Sequence, residues 1–293
     1  MNGWLLVDKP TGATSHTIVD KVRSLIDGCR IGHTGTLDPF ATGLLVLGIG
    51  HATRLSEYVI KQSKKYTAVV RLGQTTTTYD IDGEIIDEKS VNINMLDINN
   101  ALVKFQGSVQ QIPPIYSAIK INGERAYKLA RAGKAVKMKS RLVHIYQINL
   151  INYNMPDVML EISCSSGTYV RSIAHDLGQV LGCGAHLLSL CRNQLGGLQL
   201  NNAYTMDQIS EASSNESINS MLIAAGDALP NWKSLVVDED TKKNIRHGNS
   251  FKCSHSVTSD LALAYDKSGE LIAVVEGQPD FGNWQPRKVF LKQ

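Results

Sequence analysis

Short apolar runs, each about the length of a buried strand, alternate along this chain with stretches whose apolar residues recur at helical spacing. The runs "GWLLVD", "GLLVLGIG" and "YTAVVRLG" are typical of strands, because each is closed off by glycine or a charged residue. Between the first two runs, Ile18, Val22 and Leu25 recur at helical spacing behind the capping candidates Thr14 and Ser15. This mixture predicts an α+β fold.

The middle of the chain continues the same alternation. A helix is predicted over Leu96 to Phe105, and "VHIYQINLINY" and "VMLEISC" flank Asn154-Met155-Pro156 as a hairpin would. After Gly167 the apolar residues again recur at helical spacing. We therefore expect a second helix there.

The pattern changes near Leu229-Pro230-Asn231-Trp232. Beyond this point the runs "LALAYD", "LIAVVEG" and "KVFLKQ" are short and strand-like, with turns between them. A length of 293 residues suits about two domains. The sequence predicts a large α+β domain over residues 1–232 and a small all-β domain over residues 233–293.

Charge is sorted along the chain although the net charge is only +3. The stretch from Lys120 to Arg141 contains one acidic residue, Glu124, against a run of basic ones. Those basic residues are Lys120, Arg125, Lys128, Arg131, Lys134, Lys137, Lys139 and Arg141. Such clustering predicts a basic face that binds nucleic acid. The alternative is a solvated charged segment with no partner.

The remaining composition argues against several protein classes. The 5 cysteines are scattered without a C-x-x-C pair, so we do not expect a structural zinc site. The same pattern indicates a reducing compartment. The start "MNGWLLVDKP" lacks the features of a signal peptide, and no apolar run reaches the length of a membrane span. We expect a cytoplasmic protein with no metal and no membrane partner.

Asp38 stands out within "GHTGTLDPFATGLL" because it is followed by Pro39. Asp followed by Pro is a preferred helix start, since the carboxylate accepts backbone N–H groups and proline lacks the one that would stay unpaired. An ionised aspartate is also a possible nucleophile. From these residues, capping and catalysis both remain open.

Three further polar residues are candidates for one site. If Gly167 to Arg171 is extended, Tyr169 and Arg171 share a face, and an arginine beside Asp38 favours the charged carboxylate. Tyr66 follows Lys64 and Lys65 at the head of a predicted strand. The alternatives are core packing for each tyrosine and an ordinary exposed ion pair for Arg171.

Three blocks of sequence, in order, resemble one known family. They are "GHTGTLDPFATGLL", "IPPIYSAIKINGERAYKLARAG" and "CSSGTYVRSIAHDLGQVLGCGAH", and they are similar to the motif blocks of the TruB family of tRNA pseudouridine synthases. The likeness runs from about residue 3 to about residue 200. The C-terminal part more weakly resembles a PUA module. The resemblance implies a mixed-sheet pseudouridine synthase catalytic domain with a basic insertion at about 114–142, followed by a PUA-like RNA-binding domain.

The resemblance also implies roles for individual residues. Asp38 would be the catalytic aspartate and Tyr66 the aromatic residue that stacks on the uracil. The other residues implied to bind substrate are Lys9, His33, Asp80, Tyr169, Arg171 and Leu190. Within this set His33 would fill the space left by the flipped nucleotide, and Arg171 would pair with Asp38. One departure is visible, because Thr77 stands where the family often has aspartate.

The implied reaction isomerises the uridine at T-loop position 55 of tRNA, with no cofactor. The C1′–N1 bond breaks and a C1′–C5 bond forms, which requires a nucleophile and a flipped base but neither metal nor redox group. Whether Asp38 attacks the sugar or the ring, or acts as a base, is left open. We expect a monomer that binds the tRNA T-stem-loop. There are two alternatives. The protein binds or folds tRNA without catalysis, or it performs the same chemistry on another RNA.

Overall fold

A computed structural model describes residues 1–26, 28–121, 123–253, 256–258 and 260–291 of this chain. The strands are β1 (Gly3–Lys9), β2 (Ile31–His33), β3 (Thr42–Ile49), β4 (Lys64–Leu72), β5 (Gln74–Thr76), β6 (Ile85–Glu88), β7 (Gly107–Gln111), β8 (Lys120–Ile121), β9 (Glu124–Arg125), β10 (Arg141–Asn154), β11 (Asp157–Cys164), β12 (Ala185–Leu195), β13 (Leu198–Gln199), β14 (Lys233–Val236), β15 (Leu261–Tyr265), β16 (Leu271–Gln278) and β17 (Asn283–Val289). The α-helices are α1 (Ser15–Leu25), α2 (Ser56–Val59), α3 (Met95–Leu102), α4 (Ala126–Arg131), α5 (Val170–Leu181), α6 (Met206–Ser214) and α7 (Glu239–Arg246).

The main sheet has the strand order β1-β3-β12-β4-β11-β10-β7, with β2 paired to β3 and β13 to β12. Its pairs are antiparallel except for β12 with β3, which is parallel. The predicted mixed sheet is therefore confirmed. The hairpin expected around Asn154-Met155-Pro156 is also confirmed, since β10 and β11 pair directly across it.

The middle of the sheet is covered on both faces. Along β3, Leu45 and Leu47 belong to one apolar core, while Leu44 and Val46 belong to another. The first core takes in the apolar sides of α1, α3 and α5, including Ile18, Ile98 and Ile173. Ile18 and Ile173 are among the apolar residues whose helical spacing predicted these helices, and α1 begins behind Thr14, whose side chain accepts from the Thr17 backbone N–H as predicted.

The second core connects the main sheet to the C-terminal sheet. Trp4 and Leu6 of β1 pack in one cluster with Leu263, Val274 and Phe290. The C-terminal strands have the order β14-β15-β16-β17, which agrees with the expected β structure. The helix α7, which lies between β14 and β15, was not predicted from the sequence. A domain boundary between residues 232 and 233 stays a prediction.

The basic segment lies between β7 and β10. It contains the paired strands β8 and β9 and the short helix α4. Strand β10 begins at Arg141, so the last two residues of the insertion expected at 114–142 belong to the main sheet. The segment is anchored near α5, because Ser172 Oγ donates to the Ile112 carbonyl at 2.8 Å. Among the described residues, no helix combines the length and the apolar character needed to cross a bilayer.

Candidate active site

Asp38 lies in a loop between β2 and β3 rather than at the start of a helix. The Ala41 N–H donates to the Asp38 carbonyl at 3.1 Å, which closes a turn at Pro39 and Phe40, and β3 follows from Thr42. The capping interpretation is therefore wrong. The Asp-Pro signal marks a turn here, because the apolar run after it is taken into the sheet as a strand.

The loop that carries Asp38 is held by hydrogen bonds from the end of β1 and the start of α1. Ser15 Oγ donates to the Leu37 carbonyl at 3.1 Å and accepts from the Leu37 N–H at 2.8 Å. Lys9 is fully buried, and its Nζ donates to the carbonyls of Pro10, Ala13 and Pro39 at 2.8, 2.7 and 3.2 Å. Three donated bonds satisfy an ammonium group completely. Lys9 thus fixes the backbone immediately beside Asp38.

The Asp38 carboxylate forms an ion pair with Arg171. The Arg171 Nη2 donates to Asp38 Oδ1 at 3.2 Å, and Nε lies 3.1 Å from Oδ2. On the other side of the same guanidinium, Nη1 donates to Asp80 Oδ2 at 3.0 Å. Arg171 and Asp80 are 7% and 4% exposed, whereas Asp38 is 32% exposed. The solvent-facing end of this buried charge chain is therefore Asp38.

Arg171 makes two further contacts that fix its orientation. Its Nη2 also donates to the Tyr116 carbonyl at 3.0 Å, at the root of the basic segment, and its Nη1 to the Thr78 carbonyl at 3.4 Å. An exposed ion pair, the alternative considered for Arg171, is thus wrong. The extended arrangement of Gly167 to Arg171 is also wrong, since α5 begins at Val170 and Arg171 lies in its first turn. Helix geometry rather than a shared strand face aims Arg171 at Asp38.

Several charges act on the protonation of Asp38. Burial raises the pKa of its carboxyl, the Arg171 guanidinium opposes that rise, and the carboxylates of Asp80 and Asp82 add to it. The resulting pKa lies above the usual value for aspartate. Burial also lowers the pKa of Lys9 to about 8, with Asp38 acting in the opposite direction. The two groups are close enough for each to influence the charge of the other.

Tyr66 and Leu190 lie on one face of the main sheet near this ion pair. Leu190 pairs with Ala68 and Arg192 pairs with Tyr66 across β12 and β4. Tyr66 is 7% exposed, and its pKa is raised mainly by burial, with Arg192 lowering it and Asp38 raising it. Both side chains also belong to the first core. Packing in the core is therefore compatible with a position near Asp38.

His33 lies at the end of β2, near Arg192. Burial lowers the pKa of His33, and the Arg192 charge lowers it further. The His33 Nδ1 is buried and has no hydrogen-bond partner within the described part of the chain. Arg192, which the sequence analysis missed, is 1% exposed and donates to the carbonyls of Leu44 and Gly35. A charged residue two positions after Leu190 on a buried strand was the available signal.

Tyr169 lies on the flank of the site and is held by two groups. Gln111 exchanges hydrogen bonds with its backbone, donating to the carbonyl at 3.0 Å and accepting from the N–H at 2.8 Å. The Arg141 guanidinium carbon lies 4.5 Å from the centre of the Tyr169 ring. No sequence signal pointed to Gln111. Arg141 was assigned to the basic segment, and the structure places it against Tyr169 instead of on that segment.

The other basic residues of the segment are exposed. They are Lys120, Arg125, Lys128, Arg131, Lys134, Lys137 and Lys139. The site therefore combines a buried charge chain that ends at one accessible carboxylate with a set of exposed cations on the neighbouring segment. This arrangement can present a nucleophile to a bound polyanion.

Comparison with known proteins supports the family suggested by the sequence blocks. Residues 23–170 match the family model described as TruB family pseudouridylate synthase (N terminal domain), and residues 171–229 match the one described as tRNA pseudouridylate synthase B C-terminal domain. The fold is similar to that in a crystal structure of a Cbf5-Nop10-Gar1 complex, with a TM-score of 0.77 and 22% identity over 99% of this chain and 85% of that one.

Curated relatives are similar over nearly the whole length. A tRNA pseudouridine synthase B from Pseudomonas aeruginosa is 38% identical over 99% of this chain and 96% of that protein. One from Solibacter usitatus is 41% identical over 94% of this chain and 96% of that protein, and one from Dehalococcoides mccartyi is 37% identical over 100% and 98%. The chain therefore belongs to the TruB family of pseudouridylate synthases.

Proposed function

We propose that this protein converts uridine to pseudouridine in tRNA, at position 55 of the T-loop, and that Asp38 is the nucleophile. The observation that carries the proposal is the charge chain from Asp80 through Arg171 to Asp38, of which Asp38 is the accessible end. Family membership and relatives that are named tRNA pseudouridine synthase B support the reaction.

The chemistry needs a charged carboxylate that keeps its orientation while a bond to it forms. Arg171 favours the ionised form of Asp38, and its contacts with Asp80 and Tyr116 prevent the guanidinium from turning away. Asp38 forms a transient bond to the target nucleotide and the C1′–N1 bond breaks. C1′ then bonds to C5, the bond to Asp38 breaks, the C5 proton leaves to solvent and N1 gains a proton. Asp38 is regenerated, so the isomerisation balances without a cofactor.

The target base has to leave its stack before Asp38 can reach it. Unstacking costs a few kcal/mol, and stacking on one aromatic side chain returns about 1–3 kcal/mol. We propose that Tyr66 provides this stacking surface, that Leu190 and Lys9 complete the pocket, and that His33 fills the vacated space. The rest of the free energy comes from contacts with the RNA backbone.

Arg141 is our candidate for the phosphate contact nearest the reacting base. Arg141 is partly exposed, and its guanidinium lies over the Tyr169 ring on the side of the site. Charged donors in such a position gain strongly from an anionic acceptor. The exposed basic residues of the segment, Lys120 to Lys139, bind phosphates farther from the base. We propose that the C-terminal sheet, as a PUA-like domain, also binds RNA.

The experiment is to treat a tRNA transcript with the protein, digest it to nucleosides and separate pseudouridine from uridine by chromatography. We expect one pseudouridine per transcript, and none when the T-loop target is replaced by cytidine. Pseudouridine in both transcripts would refute the T-loop assignment. Tight binding without any pseudouridine would refute the enzymatic proposal in favour of a tRNA-binding or tRNA-folding role. Turnover only on another RNA would leave the chemistry and change the substrate.

A further inference from the structure

Helix α5 touches the turn that carries Asp80 at two places, one helical turn apart. Arg171 contacts the Asp80 carboxylate, and His175, four residues later on the same face, contacts the neighbouring residue Tyr79. The rings of Tyr79 and His175 are stacked, with centroids 3.8 Å apart and an interplanar angle of 13°. Two successive residues of the turn are thus matched to two residues on one face of α5.

The backbone at Tyr79 is unusual for a residue with a large side chain. Its φ angle is +65°, in the left-handed region that favours glycine and asparagine. The Tyr79 carbonyl accepts from the Leu187 N–H at 2.9 Å, and the Tyr79 N–H donates to the Thr76 carbonyl at 3.3 Å. A bulky residue keeps this conformation only where its surroundings hold it. Here the turn is held by β12 on one side and by the ring of His175 on the other.

The same turn positions the Asp80 carboxylate. Thr78 Oγ1 donates to Asp80 Oδ1 at 2.5 Å, the Asp82 N–H donates to the same oxygen at 3.1 Å, and Thr76 Oγ1 donates to the Asp80 carbonyl at 2.7 Å. Oδ2 is left for Arg171. A change in the backbone at Tyr79 therefore moves both the Thr78 carbonyl and the Asp80 carboxylate, which are the two groups of the turn that bind Arg171.

We propose that Tyr79 and His175 are positioning residues, whose ring stack holds the Asp80 turn against α5 and so sets the orientation of Arg171 toward Asp38. The proposal rests on the proposed function of Asp38. It assigns the stack no contact with RNA and no proton transfer. Both rings are uncharged at neutral pH, because burial lowers the pKa of His175 and raises that of Tyr79, so their contact is one of ring packing.

Four variants separate the ring contact from the backbone. His175→Ala and Tyr79→Asn remove one ring each, and asparagine retains the preference for a positive φ. His175→Phe and Tyr79→Phe keep a ring at each place. We expect the single-turnover rate at saturating enzyme to fall by about 10-fold to 100-fold in the first pair, because small displacements of catalytic groups have effects of this size. The phenylalanine variants should stay within about twofold of the wild type, and RNA affinity should change little in all four.

A matched control removes an aromatic contact elsewhere in the fold. Tyr58 of α2 packs edge-to-face on Trp232, with centroids 4.9 Å apart and an interplanar angle of 64°. Tyr58→Ala should lower the melting temperature without lowering the single-turnover rate. If His175→Ala loses rate only in proportion to its loss of stability, as a general structural defect would, or keeps the wild-type rate, the proposal is wrong.

The pH profile gives a readout that general destabilisation does not move. The charged groups acting on Asp38 are Arg171 and Lys9, which lower its pKa, and Asp80 and Asp82, which raise it. Looser placement of Arg171 in His175→Ala should shift the acid limb of the rate to higher pH, and His175→Phe should restore it. An unshifted acid limb in His175→Ala would contradict the proposal.

An activity-independent measurement separates this proposal from the proposed function. We expect amide hydrogen exchange at residues 77–83 to be faster in His175→Ala than in His175→Phe or the wild type. If the wild-type protein is inactive but exchange at residues 77–83 is still faster in His175→Ala than in the other two proteins, the proposed function is refuted and the stack still holds the turn. Active wild-type protein with equal exchange and equal rates in all variants would refute the positioning role.

Discussion

Lys9 offers a quantitative test of how the Asp38 loop is held. Burial lowers the pKa of Lys9 from 10.5 to about 8, while its three hydrogen bonds to backbone carbonyls keep the loop in place. Between these two values the unfolded chain holds a proton that the folded protein has released. The free energy of unfolding contributed by Lys9 therefore rises with pH in this window, and the penalty of burying the charge is fully present below it.

The magnitude follows from the difference in pKa. A depression of about 2.5 units corresponds to about 3 kcal/mol in total, of which about 2 kcal/mol appears between pH 8 and pH 10. Other groups titrate in the same window, so the informative quantity is the difference between wild type and Lys9→Met. That difference should grow by about 2 kcal/mol in favour of the wild type as the pH rises from 8 to 10.

Urea unfolding at a series of pH values measures this quantity. Lys21→Met, on the exposed side of α1, is the matched control for loss of a lysine and should reproduce the wild-type pH dependence. A wild-type minus Lys9→Met difference that stays constant from pH 8 to pH 10 would show that Lys9 keeps an ordinary pKa. The account of a desolvated ammonium beneath the Asp38 loop would then be wrong.

Three further predictions concern the Asp38 carboxylate, the RNA and the start of strand β3. Because the Asp38 pKa is raised, turnover should fall on acidification at a pH above that of an ordinary aspartate, and Asp82→Asn should move this limb to lower pH; an unmoved limb would contradict the assigned electrostatics. Replacing Lys134, Lys137 and Lys139 by glutamine should lower the slope of log affinity against log salt by about 2–3, measured by titration of labelled tRNA, and an unchanged slope would separate the segment from phosphate binding. Gly43→Ala should cost about 2 kcal/mol or more in urea unfolding, because φ is +92° and the new Cβ would lie 2.6 Å from the Arg192 carbonyl oxygen; wild-type stability would refute this steric argument.

The spacing of apolar residues predicted those helices and strands that bury one face in the core. β4 alternates buried and half-buried residues, and α5 buries Val170, Ile173, Ala174 and Leu177, so both elements are readable from the sequence. The helix α7 was missed because its sequence, "EDTKKNIR", is almost entirely polar and buries only Ile245. Asp38 was misread as a possible cap because its local signal does not reveal that the next residues join a sheet.

The site depends on contacts between distant parts of the chain, which no local pattern encodes. Asp38 and Arg171 are 133 residues apart in sequence, and Asp80 is 91 residues from Arg171. The pairing of Asp38 with Arg171 was expected from family resemblance rather than from spacing, whereas the pairing of Asp80 with Arg171 was not predicted. Gln111, Arg192 and Tyr79 lie outside the three blocks that carry the resemblance, and His175 lies inside the third block without an implied role. Their contacts became visible only when the sheet and α5 brought them together.

The most direct test of the central claim compares Asp38→Asn with Asp82→Asn on a tRNA whose uridines carry tritium at C5. Both changes remove one carboxylate near Arg171, but Asp82 contributes to the turn through its backbone N–H, which the change retains. We predict that Asp38→Asn binds tRNA within severalfold of the wild type and releases no tritium, while Asp82→Asn releases it near the wild-type rate, because the lost interaction in Asp38→Asn belongs to the transition state. Substantial tritium release by Asp38→Asn would contradict its role as the nucleophile.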